Sequence, residues 1–399
     1  MSAVSPSLPR VKLLHTSDWH IGRTFHGHAT LDAIREALAG IPAIVRERDV
    51  DAVLVSGDVF DSATPSAAAI EVLREAIRGI REAGAVVVAS SGNHDSATRL
   101  GFMSEWARLA GVHVRTDAAL VDEPVVLHDE HGEALVYAIP YLEPALVRHL
   151  APGAELRSQA DALAWAIGRV EADRARRGGA RAVVLSHCFA SAAAAREEAG
   201  DVERDITSGG LDVVPTELFS SFDYAALGHI HGRAALTEGA RYSGAPLHYS
   251  FSEAGKPRGA WLATLGADGL DEVEWVDLPV PRPLRVLRGG LDELLADGAH
   301  EGARGAWVKA ELTDPVRPLD AMRRLQARFP YCAAIEFAPV RADAGDERSY
   351  AVRVASAQTD AELVDGFLAH VRGGAGASPG ERDLVRRALA RVDAEGTAR

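Results

Sequence analysis

Five short polar motifs, four of them set just after an apolar run, place the strongest constraint on this chain. They are SDWH at 17–20, SGDVFD at 56–61, SGNHD at 91–95, SHC at 186–188 and GHIH at 228–231. The runs VKLL at 11–14, AVLV at 52–55, AVVV at 85–88 and AVVL at 182–185 precede the first four and read as strands buried on both faces. Between the first two, Leu31, Ile34, Leu38, Ile41 and Val45 recur at helical spacing, which gives a βαβ rhythm and predicts an α/β fold. The polar motifs then fall at the carboxyl ends of strands, where open α/β sheets place their chemistry.

The motifs offer carboxylate, amide and imidazole donors: Asp18, His20, Asp58, Asn93, His94, His187, His229 and His231. Hard divalent ions accept this mixture, and two of them about 3.5–4 Å apart can clamp a phosphodiester and activate water. Such a pair needs a shared ligand. Asp58 is the natural bridge, because one carboxylate can serve both ions and the preceding glycine lets the chain turn sharply. Any one motif alone would be weak, but five loops gathering these residue types after strands are poorly explained by chance. The reading is a two-metal hydrolase of phosphate esters.

Bulk properties narrow the class. At 399 residues the chain is long for one core and suggests two domains with an appendage. It is 47% hydrophobic and 25% charged, which excludes disordered and fibrous classes. No apolar run approaches the roughly 20 residues of a spanning helix, and residues 1–10 lack signal-peptide regions, so a cytoplasmic location is expected. Cys188 and Cys332 have no CxxC partner and read as buried thiols rather than a disulfide or thiolate site. A net charge of −14 argues against unaided, sequence-blind binding to a phosphate backbone. If DNA is the substrate, the metals, a local basic patch or a partner must help hold it.

From about Leu236 the texture becomes strand-like, as in ARYSGAPLHYSF and EVEWVDLPV, and ends in PVPRP at 279–283, where a boundary is placed. Beyond it AWVKAEL, LDAMRRLQARF and CAAIEFAPV predict strand, helix and strand. In the tail, Thr359 with Glu362 and Ser378 with Glu381 fit capping boxes, with Pro379 at the first helical position. Leu363, Val364, Phe367, Leu368 and Val371 make one apolar stripe; Leu384, Val385, Ala388, Leu389 and Val392 make another. The pair either folds back on the body or docks a partner helix.

The motif set resembles the calcineurin-like metallophosphoesterases, and the longer strings HTSDWHIGR, SGDVFD, SGNHDS, FDYAALGHIH and YSGAPLHYSF resemble, within them, the SbcD-type nucleases, bacterial counterparts of the Mre-type double-strand-break nucleases. The resemblance covers most of the chain. It implies a sandwich of two β-sheets flanked by helices over 1–280, a small α+β capping domain at 284–350, and C-terminal helices at 357–399 for partner docking. Asp18, His20, Asp58 and His231 would hold one ion, and Asp58, Asn93, His187 and His229 the other. Manganese is the implied ion, with magnesium the alternative. His94 would face the scissile phosphate, stabilising the transition state or protonating the leaving oxygen as general acid, with Asp95 orienting its imidazole. In the fourth motif a small residue is expected before the histidine, and Ser186 satisfies that; Cys188 after it reads as packing beneath the site.

The resemblance further implies Mn²⁺-dependent 3′–5′ exonuclease action on duplex DNA ends and endonuclease action on single strands or hairpins, in DNA repair, replication and recombination. It implies a homodimer within a heterotetramer with an SbcC-type coiled-coil ATPase. No GxxxxGKS or GxxxxGKT loop occurs here, so ATP control would come from that partner. The alternative is a stand-alone phosphoesterase acting on a small phosphate ester or cyclic nucleotide, which would need no helical tail. A scaffold with a structural metal site is the third reading, disfavoured because all eight site residues are present. Outside the motifs, His26, Asp61 and His248 are candidates for substrate positioning, His28 reads as exposed loop, and His15 as core.

Overall fold

The computed structural model describes residues 10–191, 213–339, 359–372 and 376–396. The chain divides into two compact units, Met1–Leu284 and Arg285–Arg399.

The larger unit is built on two six-stranded sheets. The first runs in the order Gly269–Asp277, Gly259–Gly266, Val11–Thr16, Ala52–Ser56, Val86–Ser90 and Val112–Arg115, the last four strands parallel. The second runs Ala234–Ala235, Ala240–Tyr242, Tyr224–Gly228, Arg181–His187, Gly132–Ala138 and Val125–Asp129. Unbroken β-branched runs form the inner strands because both faces of each are covered. Leu13, Ala52, Leu54 and Val88 meet Val136, Val183, Leu185 and Ala226 between the sheets. Their alternates Leu14, Val53, Val55 and Val87 pack under helices Leu31–Ala39, Ile41–Arg48 and Ala67–Ala83. Each valine or leucine among them contributes about 1.5–3 kcal/mol when fully buried. On the second sheet the outer face is covered by Gln159–Arg176, through Ala162, Leu163, Ala166, Ile167 and Val170. The result is a sandwich of two sheets flanked by helices.

Helix starts follow ordinary capping chemistry: Ser66 accepts from Ala69 N–H, and Ser158 with Asp161 forms a full capping box. The apolar spacing read as one helical segment over 31–45 is two helices meeting at Gly40, with Pro42 in the first turn of the second. His15, expected in the core, is fully buried between the sheets, where Nδ1 lies 2.9 Å from the Tyr224 hydroxyl and Nε2 lies 3.1 Å from the Leu227 carbonyl oxygen. Burial pushes its pKa down to about 3, which keeps it neutral.

One expectation is corrected. The ARYSGAPLHYSF segment is a strand only over Ala240–Tyr242; beyond it the chain is an extended loop with a 3₁₀ turn at Phe251–Glu253. Ala245, Leu247 and Tyr249 are buried at alternate positions, which explains the strand-like pattern. Their backbone groups bond to loops instead: Ala245 N–H to the His231 carbonyl and Tyr249 N–H to Glu253.

In the smaller unit, Leu284–Gly289, Trp307–Leu312 and Cys332–Phe337 form a three-stranded sheet backed by helices Leu291–Ala296 and Ala321–Arg328. Leu291, Leu294, Val308, Ala310, Leu325 and Phe329 make its core. Helices Asp360–Val371 and Pro379–Gly396 follow, both started by the expected Thr359–Glu362 and Ser378–Glu381 pairs. They are tied together by Arg372–Glu381 and Arg382–Asp365. No helix among the described residues is long and apolar enough to cross a membrane.

Candidate metal centre

The five polar motifs converge at the carboxyl ends of the strands of both sheets. Thr16 pairs with Val55, Ser56 with Ser90, and Gly228 with His187, so the strands of each sheet end level. The loops then turn hard. Asp18, His20, Asp58 and His229 all have positive φ, at 53°, 43°, 47° and 108°. For residues with a Cβ such backbone costs on the order of 1–3 kcal/mol each and persists only where the surroundings enforce it. That four site residues share it marks a place where geometry is held for function.

Glycines make the close approach feasible. A Cβ on Gly92 would lie 2.1 Å from Asp58 Oδ1 and 2.3 Å from the Asp58 backbone nitrogen; one on Gly228 would lie 1.8 Å from the Ser56 carbonyl and 2.9 Å from His187 Nδ1. Neither position admits a side chain without dismantling the site.

Three overlapping donor groups form among the described residues: Asp18, His20 and His231; Asp18, Asp58 and His187; and His20, Asp58 and His94, each with ligand atoms mutually within 4.8 Å. His20 Nε2 lies 3.1 Å from His231 Nε2 and 3.5 Å from Asp58 Oδ2. On the other side of Asp58, His187 Nε2 lies 3.4 Å from Oδ2 and 3.0 Å from Asn93 Oδ1, which is in turn 3.2 Å from His229 Nδ1. Nδ1 of His187 meets the Ser56 carbonyl at 2.9 Å; since a carbonyl only accepts, Nδ1 carries a proton and Nε2 is the ring atom left to face the other donors. Imidazole, carboxylate and amide lone pairs thus face one another, an arrangement that a cation resolves, and the residues fit divalent metal ions.

The electrostatics match that reading. Burial raises Asp18 to about 6, with His187 and His231 opposing. Burial lowers His20 to about 4. Burial also opposes charge on His187, but Asp58 and Asp18 outweigh it and raise it to about 9. Asp58 is held well below the usual carboxylate range by His187, His20 and His94, against the penalty of burial. Of these groups His187 is the one that keeps an extra proton near neutral pH, and a metal ion held there would displace it.

His94 sits on the open side, its side chain 35% exposed. Its backbone N–H donates to Asp58 Oδ1 at 2.9 Å, and its Nδ1 lies 2.9 Å from the Asp61 carbonyl. The orienting role expected of Asp95 is therefore corrected. Asp95 accepts from the amides of Val59, Phe60 and Gly92 at 3.0, 2.9 and 2.9 Å, and so clamps the second motif to the third. Successive residues of this turn point apart. Asp61, expected to position substrate, faces inward: its Oδ1 lies 3.4 Å from His20 Nδ1 and 3.8 Å from Arg23.

His26 is exposed and lies tilted against Phe251, 5.2 Å between ring centroids. His248 is turned into the protein, with Nε2 2.9 Å from the Lys256 carbonyl, which does not suit the substrate contact expected of it. Cys188 is buried, and burial pushes its thiol up to about 12, an inert packing residue. Sequence reading missed Glu253 and Arg258, 1% and 2% exposed, which form an ion pair directly behind His231. Glu253 lies 22 positions beyond that histidine in the SFSEAGKPRG loop, and a buried carboxylate leaves no spacing signal there.

Residues 11–233, more than half of the chain, match the calcineurin-like phosphoesterase family, and residues 280–372 match the SbcD_C family, described as the type 5 capsule protein repressor C-terminal domain. Among solved structures, the chain is similar to TT1561 of Thermus thermophilus, at 15% identity over 67% of this chain and 99% of that one, with a TM-score of 0.38. It is also similar to a dimetal phosphatase from Danio rerio, at 13% identity over 68% and 100%, TM-score 0.39. A purple acid phosphatase from yellow lupin gives 12% identity over 68% and 54%, TM-score 0.35. With the strand-end donor cluster and a family match over more than half its length, the chain belongs to the calcineurin-like phosphoesterases.

Proposed function

We propose that this phosphoesterase is an SbcD-type DNA nuclease subunit that works with an SbcC-type coiled-coil ATPase. The observation that carries the reading is the second family match: an SbcD_C region at 280–372 follows the phosphoesterase domain in the same chain. The domains are 1–280 for hydrolysis, 284–350 as a capping domain and 357–399 for partner docking.

Asp18, His20, Asp58 and His231 would hold one ion and Asp58, Asn93, His187 and His229 the other, manganese being the ion this reading takes. When bound, the pair supplies charge neutralisation for the phosphate and lowers the pKa of the attacking water. The protein's part is positional and acid–base. Asp58 spans both groups; the Asp61 carbonyl fixes the proton of His94 on Nδ1 and leaves Nε2 turned to the open side. From there Nε2, when protonated, donates to the leaving 3′ oxygen.

Two exposed apolar surfaces support assembly. Phe102, Met103, Trp106 and Leu109 are 78%, 55%, 66% and 76% exposed on the segment after the third motif, and suit a second copy of the chain. On the Asp360–Val371 helix, Leu363, Phe367 and Val371 repeat every four residues at 37%, 50% and 55% exposure, and suit an apolar partner helix. A docked ATPase would also explain how a chain of net charge −14 stays on DNA.

The deciding experiment is digestion of an end-labelled duplex with and without Mn²⁺, comparing wild type with His94→Ala and running a phosphomonoester in parallel. Metal-dependent DNA cutting that the variant loses is expected. Ester hydrolysis without DNA cutting, even with the ATPase added, would replace this reading with a small-molecule phosphoesterase.

A further inference from the structure

The two groups of histidine ligands differ in what stands behind them. His187 Nδ1 rests on a neutral acceptor, the Ser56 carbonyl at 2.9 Å. Behind His20 and His231 stand carboxylates. Asp61 Oδ1 is 3.4 Å from His20 Nδ1, and Glu253 Oε1 is 3.7 Å from His231 Nδ1.

These separations are longer than a formed hydrogen bond, and both His20 Nδ1 and Glu253 Oε1 are buried with no bonded partner among the described residues. The polar contacts that Glu253 does make fall to its second oxygen, which accepts from Tyr249 N–H at 3.1 Å and from Arg258. Oε1 is thus left aimed at His231. The two rings are held in place from one side by Tyr249, edge-to-face at 5.5 and 5.7 Å, and its hydroxyl is anchored on the Trp19 carbonyl at 2.8 Å. With both Nε2 atoms 3.1 Å apart, a cation drawn between them requires both protons on Nδ1. The two carboxylates are the acceptors those protons would meet.

We propose that Asp61 and Glu253 are positioning residues that lock His20 and His231 with Nδ1 protonated and Nε2 toward one divalent ion, so that the ion held by Asp18, His20, Asp58 and His231 binds first and more tightly than its neighbour. The proposal rests on the two-metal reading above. A bond from imidazole N–H to carboxylate is roughly twice as strong as one to a neutral carbonyl, and loss of such an outer partner typically weakens metal binding by about 10–100-fold. Glu253 can hold its charge in the interior because Arg258 neutralises it, and Arg258 in turn is fixed on the His231 carbonyl.

The test is calorimetric titration of the metal-free full chain with Mn²⁺, comparing wild type with Glu253→Gln and Asp61→Asn. Wild type should bind two ions of unequal affinity. Each variant should lose about 10–100-fold at the tighter site with the weaker site unchanged, while the far-UV spectrum stays native. Should Glu253→Gln fail to fold once Arg258 loses its charge partner, Asp61→Asn decides the matter alone, since Asp61 is 32% exposed and the cation beside it, Arg23, keeps 18% of its side chain in solvent. Two ions bound with equal affinity, or a tight site indifferent to the variants, would overturn the proposal and leave the metallohydrolase reading standing. A wild type that takes up no Mn²⁺ would overturn both.

Discussion

One ring nitrogen of His94 is committed to the Asp61 carbonyl, so any proton given to substrate must leave from Nε2. Removing the ring should therefore cost chemistry and little else. His94→Ala should lower kcat on a dinucleotide phosphodiester, whose alkoxide leaving group needs a proton, by about 10²–10⁴-fold, the usual contribution of a general acid, with Mn²⁺ affinity and the thermal melt unchanged. A loss under about tenfold would remove His94 from the acid role. The neighbouring carboxylate should behave in the opposite way. Asp95→Ala deprives three backbone amides of their acceptor and should destabilise the fold by about 3 kcal/mol or more in urea denaturation, since each bond to a charged group contributes about 1.5–3 kcal/mol. The donor types were legible in the sequence because hard divalent ions accept few side chains and the loops that hold them follow strands. Outer partners were not. The family resemblance suggested Asp95 for His94, whereas the turn directs Asp95 to the second motif, and Glu253 reaches His231 only through the folded loop.

Among the elements, the inner strands announced themselves because burial on both faces demands unbroken β-branched runs, and the tail helices because a capping box is a local device. The loop after Tyr242 misled for a physical reason. Ala245, Leu247 and Tyr249 put buried apolar side chains at every second position, but Pro246 and His248 between them are turned into the protein too, and the segment has no ladder partner. Apolar spacing also joined two helices across Gly40, since a break that keeps the same face buried leaves the periodicity intact. The tail raises a prediction of its own. Leu363, Phe367 and Val371 are exposed among the described residues, and in the proposed assembly this is the face that would take the partner. Phe367→Glu should abolish co-elution with the SbcC-type ATPase in size-exclusion chromatography and leave hydrolysis of the simple diester intact. Co-elution that survives the charge would place docking elsewhere.

The phosphoesterase unit divides its labour between the two ends of its strands. The carboxyl ends carry strained loops, facing lone pairs and converging carboxylates, a set that destabilises the metal-free fold. The amino ends carry the compensation. Arg181, at the start of its strand, forms a two-pronged bridge to Asp129 at 2.6 and 2.9 Å and reaches across to the Gly266 carbonyl at 2.9 Å in the other sheet. Asp129 returns the contact by accepting from Val11 N–H at 3.3 Å, so the pair staples the two sheets together. Both side chains are buried, 7% and 3% exposed. The bonds from Arg181 hold Asp129 below the ordinary carboxylate range, with burial opposing. A depressed folded pKa means that the unfolded chain binds the proton more readily. The stabilisation is thus complete above the unfolded value of about 3.9 and disappears as pH falls through the folded one. Arg181→Met should therefore cost about 3–5 kcal/mol at pH 7, the penalty of stranding a buried charge, and the gap from wild type should narrow as pH drops below about 4. Metal affinity and diester turnover should be unaffected at temperatures where the variant is folded, because the staple lies at the far end from the site. Urea denaturation at pH 7 and at pH 3 measures both gaps. A gap that persists at low pH would mean that Arg181 acts through its packing across the sheets, with its charge contributing nothing.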